Sequence, residues 1–364
     1  MKNIKQIFAA VLAAAMALSF TACSIHKKDE IAVTVGDVKF TSAYYMCALI
    51  NADSEAKNRI YEELSDEEKN SGEEIDYYSH KIDDKDYVDW VEDTAMDNLK
   101  KIAAYKTLCK ENKLELEEED KTNAESYASM YWNNYGYQAY YEINGVSEET
   151  YTSYMVDANY SGVYFEHIYG AEGEKAIAAD EVKNKIYDNF IIADVLEASF
   201  SGMEETEITS LKEKFNGYVT ALKDGSKTFE EVYKDYNGTA EEETEETETS
   251  SDEPQPKDKY ASILGADDTV YEYEHYDEIK EMAAGEVKLI ELDEDAGMIL
   301  AVKQDITADP YYLETLDLTA RHLIADDEFD KEIDEYAGEL KLDVNNFAVR
   351  QFKVKKIKEP ELTA

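Results

Sequence analysis

Residues 31–41 read Ile-Ala-Val-Thr-Val-Gly-Asp-Val-Lys-Phe-Thr, and this stretch decides how the fold begins. Apolar and polar residues alternate on both sides of Gly36-Asp37, a pattern that predicts two short strands joined by a tight turn. Thr41 then offers its hydroxyl as the N-cap of a helix that we expect to reach about Asn51. The sequence therefore predicts a β-hairpin that leads directly into a helix.

The N-terminus upstream of this hairpin has the features of a secretion signal. Lys2 and Lys5 make a positively charged start, residues 7–20 are apolar, and small residues precede Cys23. The apolar run is shorter than the roughly 20 residues that a membrane-spanning helix needs. Because the run ends on Cys23, it resembles the bacterial lipobox, which implies cleavage after Ala22 and a lipid on the cysteine.

We therefore expect residues 1–22 to be a lipoprotein signal peptide and residues 23–30 to be a lipidated tether. The lipid on Cys23 would hold the protein on the extracytoplasmic face of a bacterial cell membrane. The alternative is an ordinary signal peptide with an unmodified cysteine.

The chain is strongly acidic, with 83 acidic and 37 basic residues and a formal charge of −46. This charge repels nucleic acid and anionic lipid headgroups, so we expect neither as a partner. It also keeps an exposed protein soluble and favours cationic or amphipathic partners.

The C-terminal end is locally basic, with Lys353, Lys355, Lys356 and Lys358 within six residues. Two interpretations remain open for this cluster. The lysines either pair with acidic neighbours or contact an anionic wall polymer or lipid.

Helical periodicity dominates the rest of the chain, in keeping with only four prolines. Helices are expected at about residues 88–108, 119–135, 147–169, 179–189, 204–222, 229–236, 276–282 and 311–340. Strands are expected at 190–200, from 285, at 297–302, and in a strand-like C-terminal end at 347–354. Residues 51–84 are polar and are expected to be loop-like, with some helix near 56–64.

Residues 239–258 break this pattern. Between positions 241 and 253, eight of 13 residues are acidic, and none is basic or hydrophobic. Such a segment buries too little apolar area to offset its ordering entropy, so we expect a disordered acidic insertion. Collection of calcium ions is the alternative role.

Several stretches follow one another in the order seen in a known family. They are Val33–Thr41, Gly145–Tyr151, Ala179–Asn189, Leu222–Gly225, Phe229–Tyr236, Gly285-Glu-Val287 and Ala296–Leu300. They lie in this order between residues 33 and 300 and resemble the PrsA/SurA-type extracytoplasmic foldases.

The resemblance implies an α+β fold that is predominantly helical. A helical SurA-like chaperone domain would comprise residues 31–190, completed by 311–358, and a parvulin-like α+β domain would be inserted at 191–308. It also implies a chaperone or foldase whose partners are unfolded or nascent secreted proteins, with no cofactor and no metal.

Two histidines of the parvulin pattern are replaced in this chain. Asp194 stands where the first-strand histidine would fall, Ile299 takes the place of the last-strand histidine, and Met298 that of an aromatic residue. Prolyl isomerisation needs no nucleophile, because the enzyme only favours the twisted amide over its planar ground state. We therefore expect a degenerate site with lost or very weak isomerase activity; an active prolyl isomerase is the alternative.

Aromatic residues crowd one helical stretch and are the candidate client-binding group. The candidates are Tyr131, Trp132, Tyr135, Tyr140 and Tyr141. Tyrosine offers apolar area at low conformational cost and stays soluble, which suits an adaptable binding surface. Packing between helices is the simpler interpretation of the same pattern.

Other classes of function lack their motifs. The sequence has no His-Glu-x-x-His, no Gly-x-Ser-x-Gly and no phosphate-binding loop, and its five histidines are too scattered to suggest a metal site. Cys47 and Cys109 either pair or remain buried free thiols. A third functional hypothesis is a surface lipoprotein that binds a solute or acts as a scaffold.

Overall fold

The computed structural model describes residues 29–72, 74–238, 256–267, 269–292 and 296–360. The predicted signal peptide, Cys23 and most of the acidic insertion lie outside these ranges. Among the helices that the structure describes, none has the length and apolar character needed to cross a membrane.

The secondary structure is α+β and predominantly helical, which confirms the predicted fold class. The helices are α1 (Ser42–Glu63), α2 (Asp66–Lys69), α3 (Tyr87–Asn112), α4 (Glu118–Asn134), α5 (Tyr137–Ile143), α6 (Glu148–Ala158), α7 (Tyr160–Tyr169), α8 (Ala179–Asn189), α9 (Glu205–Lys223), α10 (Phe229–Asn237), α11 (Tyr276–Lys280), α12 (Pro310–Glu339) and α13 (Asn346–Val349). The strands are β1 (Ile31–Val35), β2 (Val38–Thr41), β3 (Lys81–Ile82), β4 (Lys85–Asp86), β5 (Phe190–Ser199), β6 (Ala261–Gly265), β7 (Val287–Glu291), β8 (Gly297–Lys303) and β9 (Leu342–Val344).

The chain divides into two compact units. The first contains residues up to His167 and from Glu328 onward, and the second is Ile168–Asp327. The sequence placed the junctions instead at 190/191 and near 308–311. They differ because α8 and the first part of α12 pack on each other, through Val182, Ile186, Leu316 and Ala320, inside the second unit.

A three-stranded antiparallel sheet in the order β2-β1-β9 joins the two ends of the first unit. Val33 lies opposite Phe40 of β2 on one side and Val344 of β9 on the other. The C-terminal segment therefore completes a sheet that the N-terminal hairpin begins.

The predicted N-cap of α1 is confirmed, because the Thr41 hydroxyl accepts a hydrogen bond from the Tyr44 backbone N–H at 3.2 Å. The helix runs unbroken to Glu63, well past the expected end near Asn51. Its apolar stripe continues through Ala56 and Ile60, which are both buried in the core, and this burial stabilises the additional turns.

Two other sequence predictions of secondary structure are wrong. The expected helix at 147–169 is two helices, α6 and α7, which meet at Asn159. The end at 347–354, expected to be strand-like, contains α13, because the Asn345 side chain caps it by accepting hydrogen bonds from the Phe347 and Ala348 backbone N–H groups.

The second unit is built on a four-stranded antiparallel sheet in the order β6-β5-β8-β7. Since side chains alternate along a strand, each face has its own core. One face packs against α9 and α10, with Phe215 and Leu300 in the contact, and the other packs against α11, with Ile279 and Ile299. Both faces of the central strands are therefore covered.

Asn144 forms hydrogen bonds that hold the C-terminal segment against the rest of the first unit. Its amide donates to the Lys358 carbonyl at 2.9 Å and accepts from the Lys358 N–H at 2.9 Å. We expect Asn144→Ala to lower the free energy of unfolding of this unit by about 1–3 kcal/mol, because buried backbone groups lose their partners. The two tryptophans, Trp90 and Trp132, both lie in this unit, so urea unfolding followed by their fluorescence measures it.

Asn133→Ala is the matched control, since the Asn133 amide is exposed and bonds only within its own helix to Ser129. Equal losses in the two variants would contradict the fastening role of Asn144.

Candidate functional site

The isomerase-like positions lie on the two central strands of the second unit. In the pairing of β5 with β8, Asp194 lies opposite Val302 and Ile299 lies opposite Glu197. Alternation along the strands places Asp194 and Met298 on the face that packs against α9 and α10, and Ile299 on the face that packs against α11. The structure therefore brings Asp194 and Met298 to one face and separates both from Ile299.

Asp194 is a buried carboxyl group with incomplete hydrogen bonding. The residue is 1% exposed, and its Oδ2 accepts a hydrogen bond from the Gln304 amide at 2.6 Å. Its Oδ1 has no hydrogen-bond partner among the described residues. Burial raises the pKa of Asp194 to about 6, and the negative charge of Asp258 adds to this, whereas the Gln304 hydrogen bond opposes it.

Tyr312 is a second buried polar group in the same region. It is 5% exposed, and within the described chain its hydroxyl has no partner either. Burial raises the pKa of Tyr312 to about 12, and the charges of Asp309, Asp258 and Asp194 contribute in that order. This region therefore holds a carboxyl group able to exchange a proton near neutral pH, beside a phenol that stays protonated.

The five predicted aromatic residues separate into core and surface. Trp132, at 2% exposed, and Tyr141 are core residues that stack with Tyr151, whose ring centroid lies 4.8 Å from that of Tyr141. Tyr135 is 62% exposed, and Tyr131 is half-buried beside it, with their ring centroids 5.3 Å apart. Packing between helices thus accounts for Trp132 and Tyr141. Of the five candidates for client binding, Tyr131, Tyr135 and Tyr140 remain.

Two exposed tyrosines, Tyr127 and Tyr135, and two half-buried ones, Tyr131 and Tyr137, form a strip along α4 and the start of α5. Tyr127, Tyr131 and Tyr135 are spaced by four residues and so share a face of α4. The ring of Tyr137 continues the strip, because its centroid is 5.5 Å from that of Tyr131. We call these four residues the tyrosine strip.

The first unit also contains a cavity of about 650 Å³. Its lining residues come from α1, from the loop before β3 and from the C-terminal segment. They are Asp53, Lys57, Glu74, Ile75, Asp76, Tyr77, Tyr78, Ile357 and Glu359. We call it the acidic cavity, since it has four carboxylates and one ammonium group.

Only part of the charge in the acidic cavity is compensated. Asp53 is buried, accepts a hydrogen bond from the Tyr87 hydroxyl at 2.7 Å and pairs with the Lys57 ammonium at 2.9 Å. The same ammonium lies 2.7 Å from Glu359. Burial lowers the pKa of Lys57, but its bonds to these two carboxylates outweigh burial and raise it. Glu74 and Asp76 are exposed, and their carboxylates pair with no described basic side chain.

Tyr140 connects the predicted aromatic group with this cavity. Burial raises the pKa of the Tyr140 phenol, and the negative charges of Glu359 and Asp53 raise it further. The positive charge of Lys57 opposes this rise. These three charged residues all line the acidic cavity. Sequence reasoning missed the cavity because its walls come from segments that lie far apart in the chain.

Cys47 and Cys109 are free and buried, so the alternative of a disulfide between them is wrong. Burial raises the pKa of both thiols, which makes them unreactive. In the ranges that the structure describes, no three His, Cys, Asp or Glu side chains form a group suited to a metal ion.

No protein-family model and no curated protein matches the sequence. The chain is similar to a crystal structure of foldase protein PrsA from Streptococcus pneumoniae, with a TM-score of 0.38 and 13% identity over 70% of this chain and 87% of that chain. A foldase protein (PrsA) from Lactococcus lactis has a TM-score of 0.38 and 11% identity, over 89% of this chain and 99% of that chain. At these scores, neither likeness establishes a shared fold or activity.

The raised pKa of Asp194 predicts an unusual pH dependence of stability. Below pH 3.8, the pKa of this carboxyl group in the unfolded chain, Asp194 is protonated in both the folded and the unfolded state. As pH rises from there through about 6, the unfolded chain ionises first, and the folded protein loses the stability that the protonated group contributed. Asn cannot ionise, so stability of Asp194→Asn relative to wild type should rise by roughly 2–3 kcal/mol between pH 4 and pH 7. Urea unfolding of the second unit, followed by circular dichroism across this range, measures the difference.

Asp267→Asn is the control, because Asp267 is an exposed aspartate of the same unit. A pH dependence of the Asp194 variant that matches the control would show that the pKa of Asp194 is not raised in the folded protein.

Proposed function

We propose that this protein is a membrane-tethered extracytoplasmic holdase or foldase with a degenerate isomerase site. A lipid on Cys23 tethers it to the extracytoplasmic face of the membrane. The first unit is the SurA-like chaperone domain, the second is the parvulin-like domain, and the partners are unfolded secreted proteins. The sequence resemblance motivates this proposal, and contacts within the first unit support it.

The observation that carries the proposal is the tyrosine strip together with the acidic cavity in the same unit. Exposed tyrosine rings offer apolar area to unfolded segments, and their hydroxyls keep the free surface soluble. The strip is shallow, so each contact with a client is weak. Weak contacts at several places suit a protein that has to release its clients.

The acidic cavity adds a second kind of contact. Glu74 and Asp76 present unpaired carboxylates, and Tyr77 and Tyr78 present rings on the same wall. Carboxylates beside aromatic rings attract cationic side chains by charge and by cation–π contact. We infer that this cavity takes lysine or arginine side chains of an extended client segment.

The degenerate isomerase site is supported by the two faces of the central sheet. Asp194 and Ile299, which stand at the two histidine positions of the parvulin pattern, lie on opposite faces of the sheet and so do not form a pair. Asp194 is also buried, and the Gln304 amide donates a hydrogen bond to one of its oxygens.

A solute-binding lipoprotein is the competing function, and the acidic cavity is the observation that favours it. Its volume of about 650 Å³ falls within the range of small-molecule sites. Tyr78, Glu74 and Asp76 are exposed on its wall, so the cavity opens to solvent rather than enclosing a ligand. An open cavity suits a polypeptide segment better than a fully enclosed solute.

Removing the tyrosine strip should weaken the holding of clients. We expect Tyr131→Ser with Tyr135→Ser to increase the protein concentration needed for half-suppression of client aggregation by about fivefold, corresponding to roughly 1 kcal/mol of lost apolar contact. Light scattering of a reduced, unfolded client with the chain from Ser24 measures this concentration.

The control is Tyr61→Ser with Tyr233→Ser, which removes two partly exposed tyrosines elsewhere on the surface. If both double variants suppress aggregation at the same concentration as the wild type, the strip does not bind clients. If the wild type itself suppresses no aggregation, the solute-binding or scaffold hypothesis becomes the better one.

A prolyl-peptide assay tests the degenerate site. With the chain from Ser24 we expect cis–trans relaxation at the uncatalysed rate, on the order of tens of seconds at 25 °C, because Asp194 and Ile299 replace the two histidines of the parvulin pattern. Protease-coupled cleavage of a prolyl tetrapeptide measures the rate, with an active parvulin as positive control. A clear acceleration that Asp194→Asn abolishes would make the active isomerase the leading function.

A further inference from the structure

The C-terminal segment has a charge opposite to that of the whole protein. Residues 341–358 contain six basic side chains and one acidic side chain, in a chain with a formal charge of −46. The sequence left open whether these lysines pair with acidic neighbours or face an anionic partner.

Most of these basic groups lack an acidic partner. Lys353 pairs with Glu92 at 2.5 Å. Arg350, Lys355 and Lys356 are exposed and form no ion pair with any described acidic residue. Pairing therefore explains only Lys353, and Arg350, Lys355 and Lys356 are three of the five cations left without an acidic partner among the described residues.

An exposed aromatic side chain accompanies these cations. Phe347 is 72% exposed and lies one helical turn before Arg350 on α13. The Lys356 ammonium donates to the Arg350 carbonyl at 3.2 Å, which places Lys356 at the end of the same helix. We call Phe347, Arg350, Lys355 and Lys356 the basic C-terminal face.

Hydrogen bonds hold this face next to Glu30 and Ile31, among the first residues that the structure describes. The Asn345 side chain, which caps α13, donates to the Ile31 carbonyl at 3.2 Å and to the Glu30 carboxylate at 3.3 Å. The Asn345 backbone N–H also donates to the Ala32 carbonyl at 2.9 Å. Since an extended chain spans at most about 3.6 Å per residue, Cys23 lies within roughly 25 Å of Glu30.

We propose that the basic C-terminal face rests on anionic phospholipid headgroups of the membrane to which Cys23 is tethered. This inference depends on the lipid anchor in the proposed function. Basic side chains bind the headgroups, and Phe347 enters the interfacial layer, the combination found in interfacial membrane anchors. A wall polymer offers charge alone and leaves Phe347 in water.

The overall negative charge does not prevent this contact. At physiological salt, screening limits the electrostatic effect of each charge to a distance of about 8 Å. The charged groups nearest the bilayer therefore determine whether the protein is attracted or repelled. Each basic side chain close to an anionic surface favours contact by about fivefold. The face therefore gives the tethered first unit one preferred orientation on the membrane.

The test uses the chain from Cys23 to Ala364 coupled to a bilayer through a maleimide lipid. Coupling occurs at Cys23, because Cys47 and Cys109 are buried. Phe347→Trp provides the signal, since the native Trp90 and Trp132 are buried. Acrylamide quenching is compared between bilayers of phosphatidylcholine alone and bilayers that contain phosphatidylglycerol.

We expect phosphatidylglycerol to reduce quenching of Phe347→Trp at least threefold, and about 0.5 M salt to restore it through screening. Adding R350E, K355E and K356E should abolish the protection. The control K110E, K113E and K121E has the same change in charge at exposed sites and should retain it.

Equal quenching in the two bilayers, or protection that survives the charge reversal, would overturn the proposal. Protection by soluble poly(glycerol phosphate) equal to that by the anionic bilayer would assign the face to wall polymer instead. Chemical coupling supplies the tether whether or not cells lipidate Cys23, and client holding is measured separately on the chain from Ser24. Failure of this inference is therefore distinguishable from failure of the proposed function.

Discussion

Strand β1 is paired on both edges, with β2 of its own hairpin on one side and β9 on the other. The capping residue Asn345 reaches back to the Ile31 carbonyl, 314 residues earlier in the sequence. Closing so large a loop costs chain entropy, which the pairing and the burial around Val33 have to offset. Because the first unit needs both ends of the chain, the second unit is an insertion within it. The position of the basic C-terminal face beside Ile31 follows from the same pairing.

Helix α1 links that sheet to the candidate client site. Its first two turns are buried on all sides, and further along the helix Asp53 and Lys57 reach the acidic cavity. The Tyr87 hydroxyl fixes the Asp53 carboxylate, and Lys57 connects it to Glu359 of the C-terminal segment. A buried charge needs such partners, since removing one leaves the other uncompensated. The cavity wall is therefore held in place by the core beneath it.

In the second unit, the buried carboxyl group of Asp194 lacks the full set of partners that Asp53 has in the first. One oxygen of this carboxyl group and the Tyr312 hydroxyl are buried without partners in the described chain. Such groups cost roughly 1–3 kcal/mol each, a cost that packing on both faces of the sheet offsets. The sheet of this unit therefore forms although two buried polar groups beside it lack partners among the described residues.

Local patterns in the sequence determined a large part of this protein. Alternation around Gly36-Asp37 predicts the hairpin, Thr41 predicts the helix start, and periodicity predicts most helices, because these signals act between residues close in the chain. Composition determined the acidic charge and the predominance of helix. Only the tertiary structure decided which aromatic residues are core, as with Trp132, and which face solvent, as with Tyr135. It also decided that Asp194 and Ile299 lie on opposite faces, and it assembled the acidic cavity and the basic C-terminal face. These features depend on contacts between segments far apart in sequence, for which local spacing carries no signal.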